Sequence, residues 1–183
     1  MRELSLNVMD IAQNSVKAEA DLITITVKES DKEDFLHISI ADNGRGMTEE
    51  QVKQVIDPFF TTRTTRKVGL GVPLFKLAAE QTGGNLTINS TLGVGTTTSA
   101  HFVKSSVDMT PLGDINSTVK ILIQCNPDID FVFVHSTDIS EFTLDTRELR
   151  EILAGVPLDT PDVLEWIGEF LSEQTTNIYG GAN

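Results

Sequence analysis

The chain is 183 residues long, enough to bury a core of one domain with an appendage, and its 39% hydrophobic and 22% charged residues are those of an ordinary folded protein. With 14 basic against 27 acidic residues the formal net charge is −13, so phosphate backbones and anionic lipid surfaces are repelled and nucleic acid and membrane are excluded as partners. Cys125 is the single cysteine, which rules out an intrachain disulfide or a multi-cysteine metal site; with no signal-like apolar run at Met1 to Asp10 and no stretch of spanning length, a reducing, cytoplasmic setting is expected.

From Arg2 to Lys17 the apolar Leu4, Val8, Ile11 and Ala12 recur at helical spacing, while Asn7, Asp10, Asn14 and Lys17 form a polar stripe on the same helix. Leu22 to Val27 and Phe35 to Asp42 alternate as strands and predict a hairpin across the charged Lys28 to Asp34. Thr48 with Gln51 three places on predicts a capped helix, ended by Asp57 before Pro58. The stretch Phe59 to Gly71 has no period and reads as a mobile lid loop. A helix is then expected from Pro73 to about Thr82, stopped by Gly83 and Gly84, followed by strands Asn85 to Ser90 and Thr96 to Val103.

Beyond Val103 the pattern lapses, and Lys104 to Ser117 reads as a linker between a domain over 1–103 and an extension over 118–174. A second hairpin is expected there, Val119 to Gln124 with Phe131 to His135, then two helices, Asp145 to Ala154 and Pro161 to Ser172. Their Leu149, Ile152, Leu153, Leu164, Trp166, Ile167, Phe170 and Leu171 are expected to be core. The small, polar end, 175–183, is expected to fray.

Asp42-Asn43-Gly44-Arg45-Gly46-Met47 closes a strand with a carboxylate and two glycines, so the backbone can approach a flat ligand such as adenine; the same string also suits an ordinary tight turn. On the first helix Asn14 offers an amide oxygen suited to Mg²⁺, Asp10 a carboxylate able to orient water, and Lys17 a cation for phosphate, against the alternative of a plain solvated face. Gly69-Leu70-Gly71 stands before a predicted helix, where free amides bind anions. Arg63, Arg66 and Lys67 concentrate three of the 14 basic residues beside it. No P-loop, dinucleotide or eukaryotic protein-kinase motif is present, and His37, His101 and His135 lie on predicted strands without metal-ligand spacing, so each is expected to be a packing or surface residue rather than a ligand or a catalytic group.

Taken in order, these segments closely resemble the gyrase, heat-shock chaperone, histidine kinase and mismatch-repair ATPases that share the Bergerat (GHKL) nucleotide fold. Asp10 to Lys17 looks like their N box, Asp42 to Met47 like G1, Pro58 to Arg63 like the F box of histidine kinases, Val68 to Val72 like G2, and Gly93 to Thr97 like G3. The resemblance covers Leu4 to Val103. It implies a two-layer α/β sandwich, here with a C-terminal α+β extension, and a cleft for ATP and Mg²⁺. It assigns Asp10 as the catalytic carboxylate and Asn14 as the metal ligand. Lys17, Asp42, Gly44, Gly46, Met47, Phe60, Arg63, Gly69, Leu70, Gly71 and Thr96 would join Asn14 around the nucleotide. Only three residues precede Leu4, so transfer to a separate protein is expected rather than to an internal histidine; ATP-driven hydrolysis and non-catalytic binding stay open as alternatives, as does a homodimer.

Overall fold

The computed structural model describes residues 3–57 and 70–181. In chain order the elements are α1 (Leu4–Lys17), β1 (Leu22–Ser30), β2 (Phe35–Asp42), α2 (Glu49–Ile56), α3 (Gly71–Gln81), β3 (Asn85–Thr91) and β4 (Gly95–Val103). They continue with α4 (Ile115–Cys125), β5 (Asp130–Ser136), β6 (Glu141–Asp145), α5 (Thr146–Leu153) and α6 (Pro161–Ile178). One six-stranded sheet runs in the order β3-β4-β2-β1-β5-β6, antiparallel throughout except where β5 lies parallel to β1. This is the mixed α/β arrangement that the sequence predicts.

Alternation decides which face is covered. Ile23, Ile25 and Val27 of β1, Leu36, Ile38 and Ile40 of β2, and Phe131 and Phe133 of β5 are all buried, whereas their neighbours Thr24, Thr26, His37 and Ser39 point to the other side and stay partly open. Onto the buried face α1 brings Leu4, Val8, Ile11 and Ala12, and α3 brings Val72, Phe75 and Ala79. The first amides of α1, which have no intrahelical partner, donate to the carbonyls of Pro111 and Leu112 at 2.9 Å each. Thr48 makes the predicted reciprocal cap on α2 with Gln51.

The expected strand Val119 to Gln124 is instead the centre of α4, whose start lies inside the expected linker. Its buried residues Ile115, Thr118, Val119, Leu122 and Ile123 follow a 3–4 spacing, and Asp114 caps the helix by accepting from the Ser117 amide. Several β-branched residues make the run look strand-like, but helix propensity distinguishes them by only a few tenths of a kcal/mol each. Burying one such side chain between α1 and α6 stabilises by roughly 1.5–3 kcal/mol, so packing decides. The second hairpin is therefore β5–β6, with the unpredicted β6 placing Phe142 and Leu144 in the core, and it extends the sheet beyond β1.

α5 and α6 start at the predicted Asp145 cap and Pro161. Leu149, Leu164, Ile167 and Leu171 are core as expected, whereas Ile152 and Trp166 are exposed. The end of the chain does not fray where predicted: α6 runs to Ile178, which is buried, and the Tyr179 hydroxyl donates to the Glu29 carboxylate.

Candidate nucleotide site

A cleft of about 670 Å³ opens between α1, the end of β2, the start of β4 and the amino terminus of α3. At its floor stands Asp42, the last residue of β2, paired in register with Thr96 of β4. Both of its carboxylate oxygens are held: the Ser15 hydroxyl donates to Oδ2 at 2.6 Å and the Gly44 amide donates to Oδ1 at 2.8 Å. Hydrogen bonds to an ionised acceptor are the strong ones, so the acid's orientation is fixed before any ligand arrives.

The loop after Asp42 is tied on both sides. The Asn43 side-chain oxygen accepts from the amides of Asp21 and Leu22, and the Arg45 amide donates to the Ala18 carbonyl. Across the loop the Met47 amide donates to Ser90 Oγ at 2.8 Å, and that hydroxyl lies 2.7 Å from the Thr96 hydroxyl. Gly46 sits at φ 71°, and a Cβ there would come within 2.1 Å of the Thr91 carbonyl oxygen, so only glycine permits this approach of the loop to β3.

Along the opposite wall, α1 presents Asp10, Gln13, Asn14 and Lys17. The side chains of Asn14 and Lys17 have no hydrogen-bond or ion-pair partner among the described residues. Burial raises the Asp10 carboxyl above its ordinary pKa. Gly71 allows this wall to meet α3: a Cβ on it would lie 3.1 Å from Asp10 Cβ, so the first turn of α3 stands next to the α1 stripe. Ile11, Val55, Val72 and Ile88 supply apolar lining, with Met47 and Thr98 beside them.

Of the residues singled out in the sequence, Asp10, Asn14, Lys17, Asp42, Gly46, Met47, Leu70, Gly71 and Thr96 line this one cleft. Gly44 does not line it; its place is structural, since a Cβ there would come within 2.7 Å of the Ala18 carbonyl oxygen. Phe60, Arg63 and Gly69, together with Arg66, Lys67 and most of the expected lid, lie outside the described residues. Ser15, which lines the cleft and holds Asp42, is passed over by motif reading. A larger, more open groove of about 770 Å³ runs between α4 and α6, but it is lined by residues such as Lys120, Glu165 and Glu169 and contains none of the motifs.

Comparison with known proteins identifies the family. Residues 2–106 match the model of the histidine kinase-, DNA gyrase B- and HSP90-like ATPase family, and the chain therefore belongs to that family. It carries an ATP-binding domain of the histidine-kinase type. Sensor protein SrrB of Staphylococcus aureus, strain NCTC 8325 / PS 47, is 38% identical over 102 residues, which are 53% of this chain and 17% of the sensor protein; the same match recurs in strain COL. The chain thus spans about a sixth of the length of these curated relatives. Among solved structures, the ATPase domain of Aquifex aeolicus MutL in complex with ADP superposes over 84% of this chain and 70% of its own, with a TM-score of 0.52 at 13% identity. The N-terminal domain of a DNA repair protein covers 79% of this chain and 53% of its own, with a TM-score of 0.57 at 16% identity. At those identities the likeness is one of fold. Among the described residues no helix is long and apolar enough to cross a membrane.

Proposed function

We propose that the cleft binds ATP with Mg²⁺, adenine against Asp42 and the triphosphate along the Asp10–Asn14–Lys17 face of α1, and that the protein passes the terminal phosphoryl group to an acceptor on a separate protein. The observation that carries the nucleotide half is the pre-oriented Asp42 carboxylate facing, across one cleft, an asparagine amide and a lysine that no other described residue engages. A carboxylate accepts from the exocyclic amine of adenine, an amide oxygen suits a hard cation, and an ammonium suits a phosphate oxygen. Mg²⁺, when bound, would neutralise phosphate charge and polarise the transferring group.

The chain's own residues divide the remaining work. Thr96, supported by Ser90, borders Asp42 and shapes the adenine end. The α3 amino terminus, brought close by Gly71, offers amides and a positive dipole end to the phosphates. Asp10, its proton affinity raised by burial, would serve as the base that receives a proton from the incoming nucleophile. None of the three histidines lines the cleft: His37 and His101 stand on the other face of the sheet and His135 is buried on β5, which favours an acceptor from outside this sequence. A second reading, slow hydrolysis with water as the nucleophile, draws on the same position of Asp10.

Incubation with γ-labelled ATP, alone and with candidate target proteins, separates the two. Label on a protein supports transfer, and free phosphate from the chain alone supports hydrolysis. Absence of ATP binding by calorimetry would remove both.

A further inference from the structure

We propose that the face of the sheet turned away from the cleft carries a two-histidine chelate for a late first-row divalent metal ion, formed by His37 of β2 and His101 of β4. The two residues are direct cross-strand partners in the antiparallel β2–β4 ladder, so their side chains leave the sheet on the same side. Their Nδ1 atoms lie 3.5 Å apart, with ring centroids separated by 5.7 Å and planes inclined at 57°. The rings therefore turn their Nδ1 edges towards each other rather than stacking.

That separation is long for an N–H···N hydrogen bond, whose nitrogens prefer about 2.9–3.0 Å. It is close to another distance. Two imidazole nitrogens bound at about 2.0–2.1 Å to one tetrahedral ion stand about 3.3 Å apart, so the pair needs to move by only a few tenths of an ångström to share a metal. The backbone supplies part of the preorganisation, because the cross-strand register holds the two Cβ atoms side by side. Phe35 stacks on His101 at a centroid distance of 5.4 Å and braces it from the side.

The surroundings set the class of ion. Asn85 pairs with His101 from β3 and Lys28 pairs with His37 from β1, which places an amide and an exposed ammonium in the same row, while Ser39 and Ser99 form the next pair along. Among the described residues no carboxylate or thiol joins the two rings to make a group of three ligands. The site would be nitrogen-only with its other positions filled by water, and it would have no attraction for Mg²⁺ or Ca²⁺, which demand oxygen ligands. Imidazole suits Zn²⁺, Ni²⁺ and Cu²⁺, with Cu²⁺ held most tightly.

Titration calorimetry with Zn²⁺ and with Cu²⁺, in the absence of nucleotide, tests this. The exposed Cys125 thiol is replaced throughout by Cys125→Ser so that it cannot compete. The expected result is one ion per chain with a raised Tm, and for Cu²⁺ a paramagnetic resonance spectrum with two coupled nitrogens. His37→Gln and His101→Gln should each weaken binding by roughly a hundredfold, the order expected when a second ligand no longer acts intramolecularly. Circular dichroism would verify that both variants remain folded. Mg²⁺–ATP affinity should be unchanged in both. Binding of equal strength in wild type and in the double variant, or no binding in wild type, would overturn the proposal.

Discussion

Ser15 Oγ donates to Asp42 Oδ2 across 2.6 Å, joining the first helix to the end of the second strand at the floor of the cleft. Ser15 is 3% exposed, so the bond is sheltered from competing water. A charge-assisted bond of this kind contributes about 1.5–3 kcal/mol, and its removal leaves Asp42 held on one oxygen only. Ser15→Ala should therefore weaken ATP binding about 10- to 100-fold while the protein stays folded, and Asp42→Ala should abolish binding. Calorimetric titration with ATP checks both; an Asp42→Ala protein that binds normally would place the adenine elsewhere.

Ser15 also shows what the sequence does and does not disclose. It occupies the apolar stripe Leu4, Val8, Ile11, where an aliphatic residue is the default, and a small hydroxyl at that position is the visible signal that a polar partner waits inside. The partner itself, 27 residues away, follows only from the packing of α1 against β2. The cleft motifs are legible because each depends on a local device: a strand ending in Asp42, a stripe on one helix, glycines at a turn. The α4 segment is misread because Val119, Ile121 and Ile123 satisfy a strand period, while the competing helical set Ile115, Val119, Leu122 and Ile123 gains its meaning only from α1 and α6 on either side. Likewise Ile178 and Tyr179 look like a loose end until Thr137, just after β5, and Glu29 of β1 supply their partners.

Two glycines distinguish steric from conformational need. Gly46 and Gly93 both have positive φ, 71° and 83°, but a Cβ at Gly46 meets the Thr91 carbonyl oxygen at 2.1 Å whereas one at Gly93 meets nothing within 4 Å. Gly93→Ala should cost the left-handed penalty alone, about 1–2 kcal/mol. Gly46→Ala should cost clearly more, because backbone must also shift, and should weaken ATP binding by displacing Met47 from the cleft. Denaturant melts of the two variants give the comparison.

Asp10 carries opposite signs for stability and turnover. Its folded pKa is raised by burial, so the folded state holds the proton more tightly than the unfolded state and the ionised form opposes folding at neutral pH. Asp10→Asn should give a small rise in Tm at pH 7 that disappears as the pH falls below the ordinary carboxyl value of 3.8, where both states of the wild type are protonated. The same variant should bind ATP nearly normally and lose transfer or hydrolysis. Wild-type turnover should fall on acidification through the raised Asp10 pKa; a turnover-competent Asp10→Asn would remove it as the base.

At the far end of the sheet, burial opposes ionisation of Glu29, but hydrogen bonds from His135 and Tyr179 and the nearby Lys104 ammonium outweigh it and hold the carboxyl below its ordinary pKa of 4.5. A depressed folded pKa contributes stability that is present above pH 4.5 and is lost as the pH falls through the folded value. Tyr179→Phe should reduce stability at pH 7 by about 1 kcal/mol, discounted for the half-exposed ring, and should flatten the acid limb of the stability profile. Urea melts between pH 3 and pH 7 would show an unchanged limb if Tyr179 plays no part.

The residues after Val103 complete the nucleotide-binding core. Seven residues of β1, Leu22 to Lys28, pair with β5, and without it β1 becomes an open edge while the α1 amides lose the carbonyls of Pro111 and Leu112. Val119, Leu122, Ile123, Phe131 and Phe133 are all 0–1% exposed against the same core. At roughly 1.5–3 kcal/mol each, their burial supplies on the order of 10 kcal/mol, comparable with the whole stability of a domain, about 5–15 kcal/mol. A fragment ending at Val103 should accordingly be unfolded or aggregated and should not bind ATP, although it contains every motif of the cleft. Circular dichroism and calorimetry on that fragment decide the point: a cooperative melt with ATP affinity like that of the full chain would show that α4 to α6 only decorate a self-sufficient domain.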